Sequence, residues 1–151
     1  DNLHEVEAKL HTIDNLIWGK LIVMERNTRT AKAYLRNPSI IVDGSRGDFD
    51  GFRMGLRRFP NTFRDESTQK QLDNLGEGFA LRVDTQGNVW AKSNGTVRLW
   101  TSLGMNSNTI GPEEEAKIFD LRAFKTLLLR RSSASDDSKR HFLSDAVVYV
   151  K

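Results

Sequence analysis

A mainly β fold with peripheral helices is predicted for this chain of 151 residues, on three observations. Apolar residues change from a helical spacing to strict alternation at Trp18, short Gly- and Asn-containing turns recur between the alternating runs, and an amphipathic helix-like run from Asp120 comes only after the main set of strands. The length suits one packed core and is short for two. A hydrophobic share of 38% and a charged share of 28% are those of a globular chain, which sets aside disordered, collagenous and coiled-coil classes.

The first segment places Leu3, Val6, Leu10, Ile13 and Ile17 on one stripe, three and four residues apart, with Glu5, Glu7, Lys9 and Asp14 largely off it. The spacing predicts an amphipathic helix over residues 1–17, packed on its own domain because two heptads rarely sustain a coiled coil. Asp1, Asn2 and Glu5 suit its positive end, and Glu5 and Lys9 form an i,i+4 pair. From Trp18 to Glu25 the period is two, and after Asn27-Thr28-Arg29 the run Thr30 to Leu35 reads as the hairpin partner. Ser39-Ile40-Ile41-Val42, introduced by Pro38 and ended by Asp43-Gly44, is a short apolar strand, and Phe52 to Leu56 follows a Gly- and Asp-rich loop as the next.

Residues Arg64 to Leu75 carry helix formers with apolar contacts at Leu72 and Leu75 only, which predicts an exposed helix stopped by Gly76. Three alternating runs follow, Phe79–Val83, Asn88–Lys92 and Thr96–Thr101. Gln86-Gly87 and Asn94-Gly95 between them predict tight turns and hence a meander, because glycine and asparagine tolerate the positive φ such turns need. Asp120 is placed to cap a helix through Leu121, Phe124, Leu127 and Leu128, with Arg130 and Arg131 at its negative pole. Ser132 to Lys139 reads as a polar loop and Phe142 to Val150 as a return to strand.

Residues that could carry chemistry are few. His4, His11 and His141 are the only histidines; His4 and His11 lie seven apart, too far for an i,i+4 metal pair, and no nucleophile stands near an oriented base in any known motif. Glu113-Glu114-Glu115 lacks the alternating acidic loop that binds hard cations, and the glycines form no phosphate cradle. No catalysis, cofactor, metal or small-molecule substrate is therefore expected. Without cysteine, with no apolar run near 18 residues and no signal-peptide pattern, the expectation is an intracellular, cytoplasmic protein without membrane insertion. Arg46-Gly47-Asp48 and Asn94-Gly95-Thr96 match short integrin and glycosylation motifs, but a loop and a hairpin turn account for them. Arg130-Arg131-Ser132-Ser133 before Asp136-Asp137 is a candidate kinase site, with basic side chains beside any phosphate.

The ordered set of Glu25-Arg26-Asn27-Thr28-Arg29, Val42-Asp43-Gly44, Phe52-Arg53-Met54-Gly55-Leu56, Leu75-Gly76-Glu77-Gly78, Val89-Trp90-Ala91 and Lys117-Ile118-Phe119-Asp120-Leu121 resembles the C-terminal, or second Mad-homology, domain of Smad proteins over residues 18–151. The resemblance implies a β-sandwich of the Smad and forkhead-associated type, here with an extra N-terminal helix, that binds proteins and catalyses nothing. In such a core Phe52, Leu56, Trp90, Ile118 and Phe119 would be fillers. It also implies that Asp43 lies in the surface that pairs Smad subunits into trimers, acting with an arginine just before the Phe-x-x-Gly-Leu stretch. Gly51 stands in that place here, so the ionic arrangement is broken unless Arg53 or Arg46 reaches in.

The sequence ends at Val147-Val148-Tyr149-Val150-Lys151, where Smads continue into a loop, a helix and a Ser-x-Ser tail that here are lost, remodelled or outside this segment. With its added helix it resembles a non-Smad insect carrier of the domain. A monomeric protein-interaction or scaffold module is expected, its protein partner unnamed and its binding residues Asp43, Arg53, Arg57, Arg58 and Arg64. The alternative is phosphopeptide binding by the arginines around Phe59-Pro60-Asn61, since guanidinium forks fit phosphate. Nucleic-acid binding through Arg82, Lys92 and Arg98 with Trp90 and Trp100 is not expected, the net charge being only +3.

Overall fold

Alternate residues of several strands turn toward one core, and that sorting organises the described sheets. The structure, a computed structural model, describes residues 17–94, 97–101, 104–130 and 148–150. The strands are β1 (Gly19–Glu25), β2 (Thr28–Leu35), β3 (Ser39–Asp43), β4 (Arg53–Gly55), β5 (Phe79–Val83), β6 (Val89–Ser93), β7 (Val97–Thr101), β8 (Gly104–Ile110), β9 (Glu115–Phe119) and β10 (Val148–Val150). Two helices, α1 (Glu66–Leu75) and α2 (Leu121–Arg130), and a 3-10 turn at Leu56–Arg58 complete the described elements.

One sheet has the order β4-β3-β5-β6-β9, a second is the β1–β2 hairpin, and a third has the order β10-β7-β8. Ile40 opposes Leu81 and Leu81 opposes Ala91, so the inward residues of β3, β5 and β6 form one row. Met54 of β4 joins them, and they meet Ala33 and Leu35 of β2 and Ile110 of β8 in a single buried cluster. All three sheets thus feed one core, a β-sandwich as expected. Among the described residues no helix is long and apolar enough to cross a membrane, and no group of acidic, histidine or cysteine side chains is gathered as a metal site.

Most elements fall where the sequence places them, with instructive exceptions. The first hairpin turns at Arg26 and Asn27, Arg26 taking φ 53°, so β2 starts two residues earlier than expected. Helix α1 starts at Glu66, after Arg64. Asp65 is its cap, accepting from the Thr68 amide at 2.8 Å, and Gly76 closes the helix at φ 53°. The expected meander stops at β6. Strand β6 pairs with β5 and β9, while β7 pairs with β8 and β10 in another sheet, so Asn94-Gly95 does not join paired strands. Phe52 is not core: it is 60% exposed. Trp90 is half-buried outside the core cluster, whereas Leu56 and Ile118 pack against it and Phe119 packs on Phe124 at 5.5 Å. The helix expected over residues 1–17, apart from its last residue, and the loop at Ser132 to Lys139 lie outside the described residues.

Candidate functional site

Asp43 ends β3 and Arg53 opens β4, and these two strands run parallel with Ile41 opposite Arg53 and Asp43 opposite Gly55. That register sets Arg53 two residues behind Asp43 on the neighbouring strand, within reach of a long side chain. Arg53 Nη1 lies 3.2 Å from Asp43 Oδ2, and the Ser45 amide donates to Asp43 Oδ1 at 3.0 Å. The Asp43 side chain is 5% exposed, yet the Arg53 side chain is 54% exposed. Arg53 therefore reaches in where Gly51 leaves the expected arginine out. A pair with one end so open is worth less than about 1 kcal/mol, so it orients the guanidinium more than it holds the fold.

The loop 44–52 is built around this pair. Asp50 Oδ1 accepts from the amides of Phe52 and Arg53, both at 2.9 Å, and those two donors, Phe52 first, hold its carboxyl below the usual aspartate range. Asn37 ties the loop from behind, donating to the Gly51 carbonyl at 3.0 Å, while the Gly44 amide donates to the Gly76 carbonyl at 3.1 Å and joins the loop to the end of α1. A side chain at Gly44 would meet the Leu72 carbonyl, so glycine is needed for this close approach. So fixed, the loop leaves Phe49 and Phe52 exposed beside Arg53, and Phe63 stands 82% exposed on the next loop.

Arg57, Arg58 and Arg64 do not converge. Arg57 pairs with Asp73 of α1, with its Nε buried and without a hydrogen-bond partner. Arg58 pairs with Asp48 at 2.8 Å in the open. Arg64 turns inward onto Glu25, whose acceptance of its N–H groups and of the Asn61 amide holds the Glu25 carboxyl below its ordinary value against the opposing cost of burial. The three guanidiniums thus face three different carboxylates. Glu25, Asp48 and Asp73 were the residues that sequence reasoning missed; no local signal marks them, because each meets its arginine through the fold.

On the outer face of the large sheet the Arg82 guanidinium lies 4.9 Å from the Trp90 ring centre and Lys117 Nζ 5.9 Å from it. Arg82 also pairs with Glu115 at 2.6 Å and Lys92 with Glu113 at 3.3 Å, so the cations named for nucleic acid on β5 and β6 are neutralised within the chain. Arg98 and Trp100 lie outside the residues whose side chains are described.

A model of the MH2 domain family matches residues 16–150. Dwarfin sma-4 of Caenorhabditis elegans is 29% identical over 147 residues, covering 85% of this chain and 25% of the worm protein, so the chain spans about a quarter of that relative. Among solved structures, the crystal structure of the interferon regulatory factor 9 IAD domain superposes with a TM-score of 0.61 at 12% identity, covering 79% of this chain and 65% of that one. The structure of STAT2 in complex with IRF9 gives 0.61 at 11% identity, over 80% and 75%. At such identities the likeness is one of fold alone.

Proposed function

Because the chain belongs to the MH2 domain family, we propose that it is a non-catalytic protein-interaction or scaffold module that works as a monomer through the corner made by loop 44–52, β4 and the 59–65 loop. The observation that carries this is the Asp43–Arg53 pair. Both oxygens of Asp43 are engaged by groups of the same chain, at 3.0 and 3.2 Å, and the residue is only 3% exposed, so little of the carboxylate is offered to an arginine of a second subunit. Around it, exposed Phe49 and Phe52 beside a half-exposed arginine are the residue types that anchor protein interfaces. Intracellular, cytoplasmic action belongs to the same reading, supported by family and by the absence of cysteine. Phosphopeptide binding through Arg57, Arg58 and Arg64 has less support, since a phosphate would have to displace three separate carboxylates.

Light scattering tests the reading. The expected mass is that of one chain, 17.2 kDa, and a stable trimer that dissociates in an Asp43→Asn variant would overturn it. Proximity labelling with the chain and its Phe52→Asp variant tests the corner: loss of labelled proteins is expected, and an unchanged set removes this surface from the proposal.

A further inference from the structure

Helix α2 leaves the far edge strand, β9, and its first turn is pinned against the 84–88 turn by Asn88, whose Oδ1 accepts from the Leu121 amide at 3.1 Å. Between turn and helix runs a groove of about 570 Å³, lined among others by Gln86, Lys117, Arg122, Lys125 and Leu129. It lies at the opposite edge of the sheet from β4 and at the opposite end of β3 from Asp43.

Charge in the groove is one-sided. Lys117, Arg122 and Lys125 face a single carboxylate, Asp120. That carboxylate is spent: Oδ1 accepts from the Ala123 amide at 3.0 Å and Oδ2 from Lys117 Nζ at 3.2 Å. Arg122 and Lys125, both exposed, have no ion-pair partner among the described residues. Elsewhere Arg26, Arg58, Arg82 and Lys92 each face an acid of the chain, and Arg36 and Arg46, likewise exposed and without an acid partner among the described residues, are not lined up along one groove as Arg122 and Lys125 are. Positions 122, 125 and 129 share one helical face, and Leu129 is 78% exposed at its end.

We infer that this groove binds an acidic peptide segment of a protein partner, its carboxylates meeting Arg122 and Lys125 and an apolar side chain covering Leu129. The surface is distinct from the corner proposed above and does not depend on it. A peptide fits better than a nucleic acid because no aromatic ring lines the groove for base stacking. It fits better than a membrane because anionic lipid is met by clusters of about four to eight basic residues.

The test is fluorescence anisotropy with a labelled decapeptide of aspartates and glutamates around one leucine, against the same peptide in asparagine and glutamine. Arg122→Glu with Lys125→Glu is compared with Arg29→Glu with Lys32→Glu, an exposed pair on β2 outside both the groove lining and the corner, with the same change in net charge. Saturable binding is expected for the acidic peptide only, weakened at least about tenfold by the groove variant and under about twofold by the control. Equal weakening in the two variants, absence of saturable binding to the parent chain, or tighter binding of a single-stranded oligonucleotide or phosphatidylserine vesicles would each overturn the inference. Thermal midpoints of both variants near that of the parent confirm that the comparison is between folded proteins. A trimer in light scattering would sink the monomer reading and leave this result standing.

Discussion

Arg64 grips Glu25 with two nitrogens, Nε to Oε2 at 2.9 Å and Nη2 to Oε1 at 2.5 Å, across 39 residues of chain. The same Nη2 donates to the Phe59 carbonyl at 2.8 Å, so the arginine clamps the 59–64 loop to the end of β1. Both side chains are largely buried, and removing one partner of such a pair strands the other charge. Arg64→Leu is expected to cost about 3 kcal/mol in urea unfolding, with most of the loss restored in Glu25→Leu, Arg64→Leu, where no charge is left unpaired.

The pair also sets a pH dependence. Arg64, chiefly by hydrogen bonding, lowers the Glu25 pKa below its ordinary 4.5. A depressed carboxylate stabilises the fold fully above its unfolded value and loses that contribution as pH falls through the folded one. Stability of the parent chain should therefore decline below pH 4.5, and Glu25→Gln should be weaker at neutral pH but flatter across the acid window; parallel curves would contradict this.

Asp84 organises the second hairpin by accepting from the Trp90 indole at 3.0 Å and from the amides of Gln86 and Asn88 at 2.9 Å. Those donors, the indole first, hold its pKa down at about 2 against an ordinary 3.8. Its support for the turn is thus present above pH 3.8 and lost as pH approaches 2. The Trp90 indole proton should exchange faster by NMR across that interval. Asp84→Ala should show the same fast exchange at neutral pH.

Asn88 is buried and joins the hairpin to α2 through the Leu121 amide. Asn88→Ala leaves that amide without its acceptor and should cost about 1 to 2 kcal/mol. Hydrogen exchange locates the effect: amides of α2 should lose protection while those of α1 keep theirs.

Gly78 and Gly76 have positive φ, 68° and 53°, but differ in surroundings. A Cβ on Gly78 would drive into the Val42 carbonyl, whereas one on Gly76 meets open space. Gly76→Ala should cost about 2 kcal/mol, the backbone strain at φ 53°, ψ −120° alone. Gly78→Ala should cost about 3 kcal/mol or more, because β3 must move as well. Similar unfolding midpoints for the two variants would refute the distinction.

Local signals made much of this fold legible. Alternation found β1, β2, β5, β6 and β7, and the short apolar run after Pro38 found β3; Gly76 and Asp120 marked a helix end and a helix start where the structure has them. What local signals could not carry was pairing. Asn94-Gly95 has the chemistry of a hairpin turn, yet β6 takes β9 as its neighbour, about 25 residues on, because the core face of the sheet is completed that way. Strands β8 and β9 were not foreseen: Gly104–Ile110 is largely polar, and Glu115–Phe119 hides its alternation behind three glutamates. The site divides likewise. The sequence allowed Arg53 to reach Asp43, and it does. But Arg57, Arg58 and Arg64, neighbours in sequence, read as one basic cluster only until the fold supplies Asp73, Asp48 and Glu25.

The brevity of β4 has its own consequence. The outermost strand of the large sheet on that side is three residues long and bends at once into the 3-10 turn. At the other margin β9 sets the exposed charges Glu115 and Lys117 along the rim. Short or charged margins resist the strand-to-strand stacking by which sheet proteins aggregate. The domain can hold out phenylalanines at its loops while offering another chain little bare backbone to zip onto, which keeps sticky side chains compatible with solubility.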